Sequence, residues 1–202
     1  MLRQPDNSSA GSARIHHLQP GEFDHPERAQ LLQAAHHSIR AALEGRDFPL
    51  DPPSPHLAER RGVFTTLYLR EELRGCVGYV FPVMPLYQAV AETARAAAFD
   101  DTRFYPLTRV EEPGLEISLS ILSALQPIRA EEVEIGRHGL MVTTGAYRGL
   151  LLPQVPVEHK WDRITFLEQT CRKAGLTLDA WKQGAVIEAF TAEVFCDKDL
   201  NQ

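Results

Sequence analysis

The chain has 202 residues, a formal net charge of -6, 44% hydrophobic and 24% charged residues. That is the balance of a folded chain able to bury roughly 70% of its extended surface, and it excludes a disordered one. With no run of lysine or arginine, the chain lacks the concentrated basic surface that phosphate backbones require, so nucleic acid is not an expected partner. No apolar stretch reaches the length of a membrane span, and residues 1–20 lack the cationic start and apolar block of a signal peptide, so no membrane association is expected. Cys76, Cys171 and Cys196 are an odd set without CxxC spacing. They indicate reduced thiols in a cytoplasmic protein rather than a disulfide framework or a structural zinc site.

Residues 1–22 are rich in Ser, Gly, Pro, Gln and His and read as a mobile tail, with residues 23–202 as one domain. His16 and His17 on that tail are weak metal ligands. Asp24 is placed to cap a helix with Pro26 in its first turn, and Leu31, Leu32, Ala35, Ile39, Ala42 and Leu43 give its apolar stripe up to Gly45. His36 and His37 are adjacent on this helix and point about 100° apart, so they cannot chelate one ion together. Phe48 to Pro55, with four prolines, reads as an extended connector.

Val63 to Arg70 alternates as a strand, Glu71-Glu72 supplies a turn, and Leu73-Arg74-Gly75-Cys76-Val77-Gly78 completes a hairpin. Glycines on both sides of Cys76 signal a bulge or a place where other atoms approach the backbone. Two readings of the thiol stand: Arg74 lowers its pKa and exposes a thiolate, or Cys76 is a small buried hydrophobe. Pro85 opens a second helix whose stripe, Leu86, Ala89, Val90, Thr93, Ala94, Ala97 and Ala98, is small enough to lie tightly across the hairpin. Asp101 and Arg103 in the following loop form either a structural ion pair or the wall of a polar site.

Thr108 and Glu111 have capping-box spacing, cut short by Pro113-Gly114. Leu115, Ile117, Leu119 and Ile121 alternate with polar residues as a half-buried strand. A second hairpin follows, Leu140 to Thr144 and Tyr147 to Leu152 around Gly145-Ala146, ended by Pro153-Gln154-Val155-Pro156. Trp161, Ile164, Leu167, Cys171 and Ala174 mark a helix stopping at Gly175, and Leu178 to Trp181 one short turn. Ala185 to Phe195 reads as one final strand. Hairpins without a regular βαβ repeat give an α+β class, a mostly antiparallel sheet flanked by helices.

Three readings of the chemistry use these residues. In the first, Cys76 is a nucleophile with His138 as its base and Arg74 or Arg103 as an anion clamp, which requires the two hairpins to be neighbours in one sheet. In the second, Gly75 and Gly78 admit a ligand to the backbone and Arg74 orients its charge, with Cys76 passive. In the third, the Pro153–Pro156 loop and Trp161 are an adaptor surface. No metal is expected, because the eight histidines include no i, i+4 pair.

The hexapeptide Leu73–Gly78, together with Asp101-Thr102-Arg103-Phe104-Tyr105-Pro106, Ile135-Gly136-Arg137-His138-Gly139-Leu140, Leu151-Leu152-Pro153-Gln154-Val155 and Cys171-Arg172-Lys173-Ala174-Gly175-Leu176, resembles the motif set of the AMMECR-domain family. The resemblance runs from about Glu27 to Phe195, with Val77 where isoleucine is usual, a loss of one methylene. It implies an α+β fold with a larger and a smaller lobe. Read from the residues themselves, the candidate binding positions are Arg74, Gly75, Gly78, Asp101, Arg103 and Gln154. Similar bacterial and archaeal proteins are classed as component A of an AmmeMemoRadiSam system, so the resemblance implies a Memo-like and a radical SAM partner and an unidentified substrate. No cofactor of its own is expected. The chain has no CxxxCxxC set, so iron–sulfur chemistry would belong to the partner.

Overall fold

Helix and strand signals in this sequence resolve into eight strands and four α-helices in a computed structural model that describes residues 21–201. His16-His17 and residues 1–20 of the expected mobile tail lie outside the described residues; Glu22, the last residue of that tail, is described, and its N–H donates to Glu193 Oε2 at 2.7 Å. The chain forms two compact units, one built from residues up to Ile121 and from Glu193 onward, the other from Leu122–Ala192. None of the helices among the described residues is long and apolar enough to cross a membrane.

In the first unit, helix α1 (His25–Glu44) starts at Asp24, whose side chain accepts the Glu27 N–H in a capping box, and stops at Gly45 with φ 69°. Leu31, Leu32, Ala35 and Ile39 are buried, and the buried Ser38 hydroxyl donates to the Ala91 carbonyl at 2.7 Å. Strands β1 (Gly62–Leu69) and β2 (Glu72–Tyr79) form the first hairpin. Its turn is Arg70-Glu71, with φ 55° and 67°, and not the expected Glu71-Glu72. Left-handed residues at both central positions match the twist of the strands; here they are not the usual Asn-Gly, so composition did not mark them.

Leu67 pairs with Gly75 but Tyr68 pairs with Leu73, so Arg74 is an extra residue on β2, a β-bulge. Helix α2 (Leu86–Phe99) lies across this hairpin with its alanine face buried, as expected. The approach is close enough that a Cβ on Gly75 would stand 2.1 Å from the Ala97 carbonyl oxygen. Thr93 donates to the Ala89 carbonyl at 2.7 Å, which leaves Thr65 as donor in the 2.8 Å contact between the two buried hydroxyls. Strands β3 (Leu115–Leu122) and β8 (Ala192–Cys196) complete a sheet in the order β2-β1-β3-β8. Along β3 the predicted alternation holds, with Ile117 and Leu119 fully buried.

The second unit has strands β4 (Gln126–Pro127), β5 (Gly139–Thr144), β6 (Tyr147–Leu151) and β7 (Val186–Phe190), antiparallel in the order β4-β7-β5-β6. Helix α3 (Gln154–Glu158) occupies the segment expected only to end the hairpin. Helix α4 (Arg163–Lys173) packs on β6, where a Cβ on Gly149 would lie 2.2 Å from the Ala174 nitrogen. Its buried stripe is Phe166, Leu167, Thr170 and Cys171, while Ile164 is 40% exposed.

Two expectations are corrected. The hairpins β1–β2 and β5–β6 belong to different sheets. The single final strand is two, broken at Thr191, whose N–H donates to the Ser123 hydroxyl at 3.0 Å; β7 serves one sheet and β8 the other. A two-residue period marks a strand but not the sheet it joins.

Gly75→Ala forces the helix backbone off the strand and is expected to cost about 3 kcal/mol. Gly45→Ala meets nothing within 4 Å and incurs only left-handed strain of about 1 kcal/mol. Urea unfolding of both variants checks the order; equal losses would remove the close approach as the reason for Gly75.

Candidate functional site

β2 is an edge strand, and on its outer side the chain must satisfy backbone groups that no further strand reaches. Cys76 stands opposite Thr66. Its N–H donates to Asp101 Oδ2 at 2.9 Å, and its carbonyl accepts from Arg103 Nη2 at 3.4 Å. Both groups point away from β1, so Thr66 and Cys76 form a non-hydrogen-bonded pair with closely placed side chains. Thr66 Oγ1 and Cys76 Sγ are accordingly 3.3 Å apart. Because Gly75 faces α2, the alternation of the strand puts Cys76 on the opposite face of the sheet.

The loop after α2 supplies both clamps. Asp101, 3% exposed, receives Arg103 Nε at 3.0 Å and Arg103 Nη2 at 2.8 Å. Burial pushes the Asp101 carboxyl up, but the hydrogen bonds from Arg103 and from the Cys76 N–H outweigh it and the net shift is downward. Ten residues on, Glu111 receives Arg74 Nε at 3.0 Å and Arg74 Nη2 at 3.3 Å, together with the Thr108 N–H and hydroxyl. These hydrogen bonds, Arg74 first, hold the Glu111 carboxyl at about 2. Arg74 Nη1 is buried and has no hydrogen-bond partner among the described residues. The Thr108–Glu111 spacing read as a helix cap thus serves mainly to hold Arg74, and only a 3-10 turn follows at Glu112–Gly114.

Cys76 is 3% exposed. Burial pushes its thiol pKa up, opposed by the Thr66 hydroxyl and the charge of Arg103, so the site holds a thiol and not a thiolate at neutral pH. Gly78 faces the buried Phe64, where a Cβ would stand 2.3 Å from the ring. Both glycines therefore serve packing.

Arg74, Gly75, Cys76, Gly78, Asp101 and Arg103 are together in the first unit, whereas His138 and Gln154 are in the second. His138 is half-buried just before β5, and its Nδ1 accepts the Glu134 N–H at 3.1 Å. That bond leaves the neutral ring's proton on Nε2, a donor rather than a base. Burial first, then the charge of Arg137, lowers the His138 pKa. Gln154 is exposed at the start of α3, and Trp161 packs against the core of its unit.

A hollow of 430 Å³ in the first unit is lined by His37, Arg40, Arg46 and Phe48, among others, and by none of the predicted site residues. Ligand atoms of Glu22, His56 and Glu59 lie within 4.8 Å of one another. The cation between those carboxylates is the Arg61 guanidinium, which pairs with both. Thr66 and Glu111 are the site residues that sequence reasoning missed. Thr66 becomes the partner of Cys76 through the turn and bulge acting together, and Glu111 is recruited from a loop.

Glu111 titrates at about 2 in the fold against an ordinary 4.5, so its stabilisation is complete above pH 4.5 and is lost as pH falls toward 2. Glu111→Gln is expected to lower stability at pH 7 by about 1–2 kcal/mol and to flatten the acid limb between pH 5 and 2. Thermal melts across that range read both; an unchanged acid limb would separate Glu111 from Arg74.

With this geometry in place, comparison with known proteins gives a consistent answer. The AMMECR1 family model matches residues 32–195. A protein of Methanopyrus kandleri is 42% identical over 196 residues, covering 90% of each chain. One from Methanococcus aeolicus is 42% identical over 174 residues, covering 81% of this chain and 87% of its own length. The crystal structure of an uncharacterized protein from Pyrococcus horikoshii superposes with a TM-score of 0.67 at 38% identity, over 82% of this chain and 89% of that one. An α+β chain matched by the family model over residues 32–195, with relatives about 40% identical over most of its length, belongs to the AMMECR1 family.

Proposed function

We propose that this protein binds a ligand non-covalently at the Arg74–Cys76–Arg103 site and acts as component A of an AmmeMemoRadiSam system, beside Memo-like and radical SAM proteins, on an unidentified substrate. The observation that carries the binding reading is Arg74 Nη1, buried without an acceptor. An unmet guanidinium N–H costs roughly 1–3 kcal/mol in the free protein, and a carboxylate, phosphate or carbonyl oxygen would relieve it. The bulge at Arg74 re-aims this side chain out of the regular strand alternation. Family membership supports the partnership, with the radical chemistry belonging to the partner.

The buried thiol of Cys76, with its raised pKa, supports a passive role over that of nucleophile. The catalytic alternative would need His138 to work as a base despite the bond at Nδ1.

At pH 7, iodoacetamide is expected to alkylate Cys76 on the order of tenfold more slowly than a free model thiol; faster alkylation would reinstate the nucleophile. Co-purification with Memo-like and radical SAM proteins is expected to persist in Cys76→Ser and to weaken about tenfold, as would captured small molecules, in Arg74→Ala and Arg74→Gln. Melting curves establish that each variant is folded. Equal loss in the cysteine variant would overturn the division of roles, and a clean monomer at working concentration would count against the partnership.

A further inference from the structure

We infer that the second unit carries a separate binding pocket beside His138, for an uncharged cyclic amide no larger than a single ring. The hollow there measures 170 Å³ and is lined by Gln126, Ile128, His138, Ala189, Phe190 and Thr191, among others. That is below the roughly 300 Å³ at which sites for drug-sized ligands begin, so it takes one ring or one side chain. Its floor is fixed: Phe190 is 3% exposed, and its ring packs where a Cβ on Gly139 would lie 2.2 Å from it.

The Ser123 hydroxyl on the wall is engaged with the Thr191 N–H and the Ala124 carbonyl, which leaves His138 and Gln126 as the side chains with groups to offer. His138 Nδ1 is occupied by the Glu134 N–H, so Nε2–H is the group left to donate, and the structure gives it no partner among the described residues. The Gln126 carboxamide, also without a partner there, offers a donor and an acceptor from a backbone held in register with Ala189. No side chain lining the hollow is charged, and nearby Arg137 is engaged by both oxygens of Glu134. A carboxylate would find no cation on the wall to replace the water it gave up against Ile128, Ala189 and Phe190. A ring amide instead meets the carboxamide of Gln126 through its adjacent C=O and N–H, and a second carbonyl accepts from His138 Nε2. Ile128, Ala189 and Phe190 cover its faces.

Uracil is the simplest probe of this chemistry, with benzoate as a charged ring of similar size. Titration of the full chain, followed by NMR, is expected to give saturable shifts of the His138 and Gln126 side chains below about 10 mM uracil, with benzoate at least about tenfold weaker. His138→Ala and Gln126→Leu should each weaken uracil by about tenfold, and His138→Gln, which restores a donor, should recover most of it. Amide spectra confirm that the variants fold. Absence of saturation, equal or better binding of benzoate, or undiminished affinity in Gln126→Leu would each overturn the assignment.

Discussion

A buried strand edge with no neighbouring strand must find partners for its outward N–H and C=O, and at Cys76 those partners are side chains. Asp101 accepts the N–H and Arg103 donates to the carbonyl, while the two residues bind each other. Together they replace the next strand of the ladder. The loop that carries them is tied a second time where Glu111 takes Arg74. The cysteine's place in the molecule follows from this clamp: its backbone is committed on the outer side and its sulfur sits against Thr66.

The clamp can form only because α2 lies low over the sheet, which fixes where its C-terminal loop begins. Small residues permit that depth. Gly75 leaves room for the Ala97 carbonyl, the buried helix face is largely alanine, and Ser38 of α1 donates directly to the α2 backbone. Polar groups trapped by the close packing are satisfied in pairs, as with Thr65 and Thr93.

The geometry around Cys76 is that of a buried thiol beside two paired arginines. Desolvation keeps the proton on Cys76, and the charge of Asp101 adds to it, against the weaker pull of the Thr66 hydroxyl and the Arg103 charge. The third nitrogen of Arg74 is buried without a hydrogen-bond partner among the described residues, and the proposed binding role rests on it. The second unit offers a different chemistry, in which a histidine fixed by a backbone N–H presents one donor from a neutral wall.

The sequence by itself determined the α+β class, the ends of α1, the alternation of β3, the second hairpin and the resemblance to the family. These rest on local periods and caps, which neighbouring residues alone set. It also marked Cys76, Asp101 and Arg103 without saying that they touch. Only the tertiary structure decided that the two hairpins lie in separate sheets, that the residues from Ala185 to Phe195 divide between them, that Arg74 is bulged toward Glu111, and that the thiol is buried. Each of these depends on which distant segment comes alongside a strand, and a two-residue period reads the same whichever sheet the strand enters.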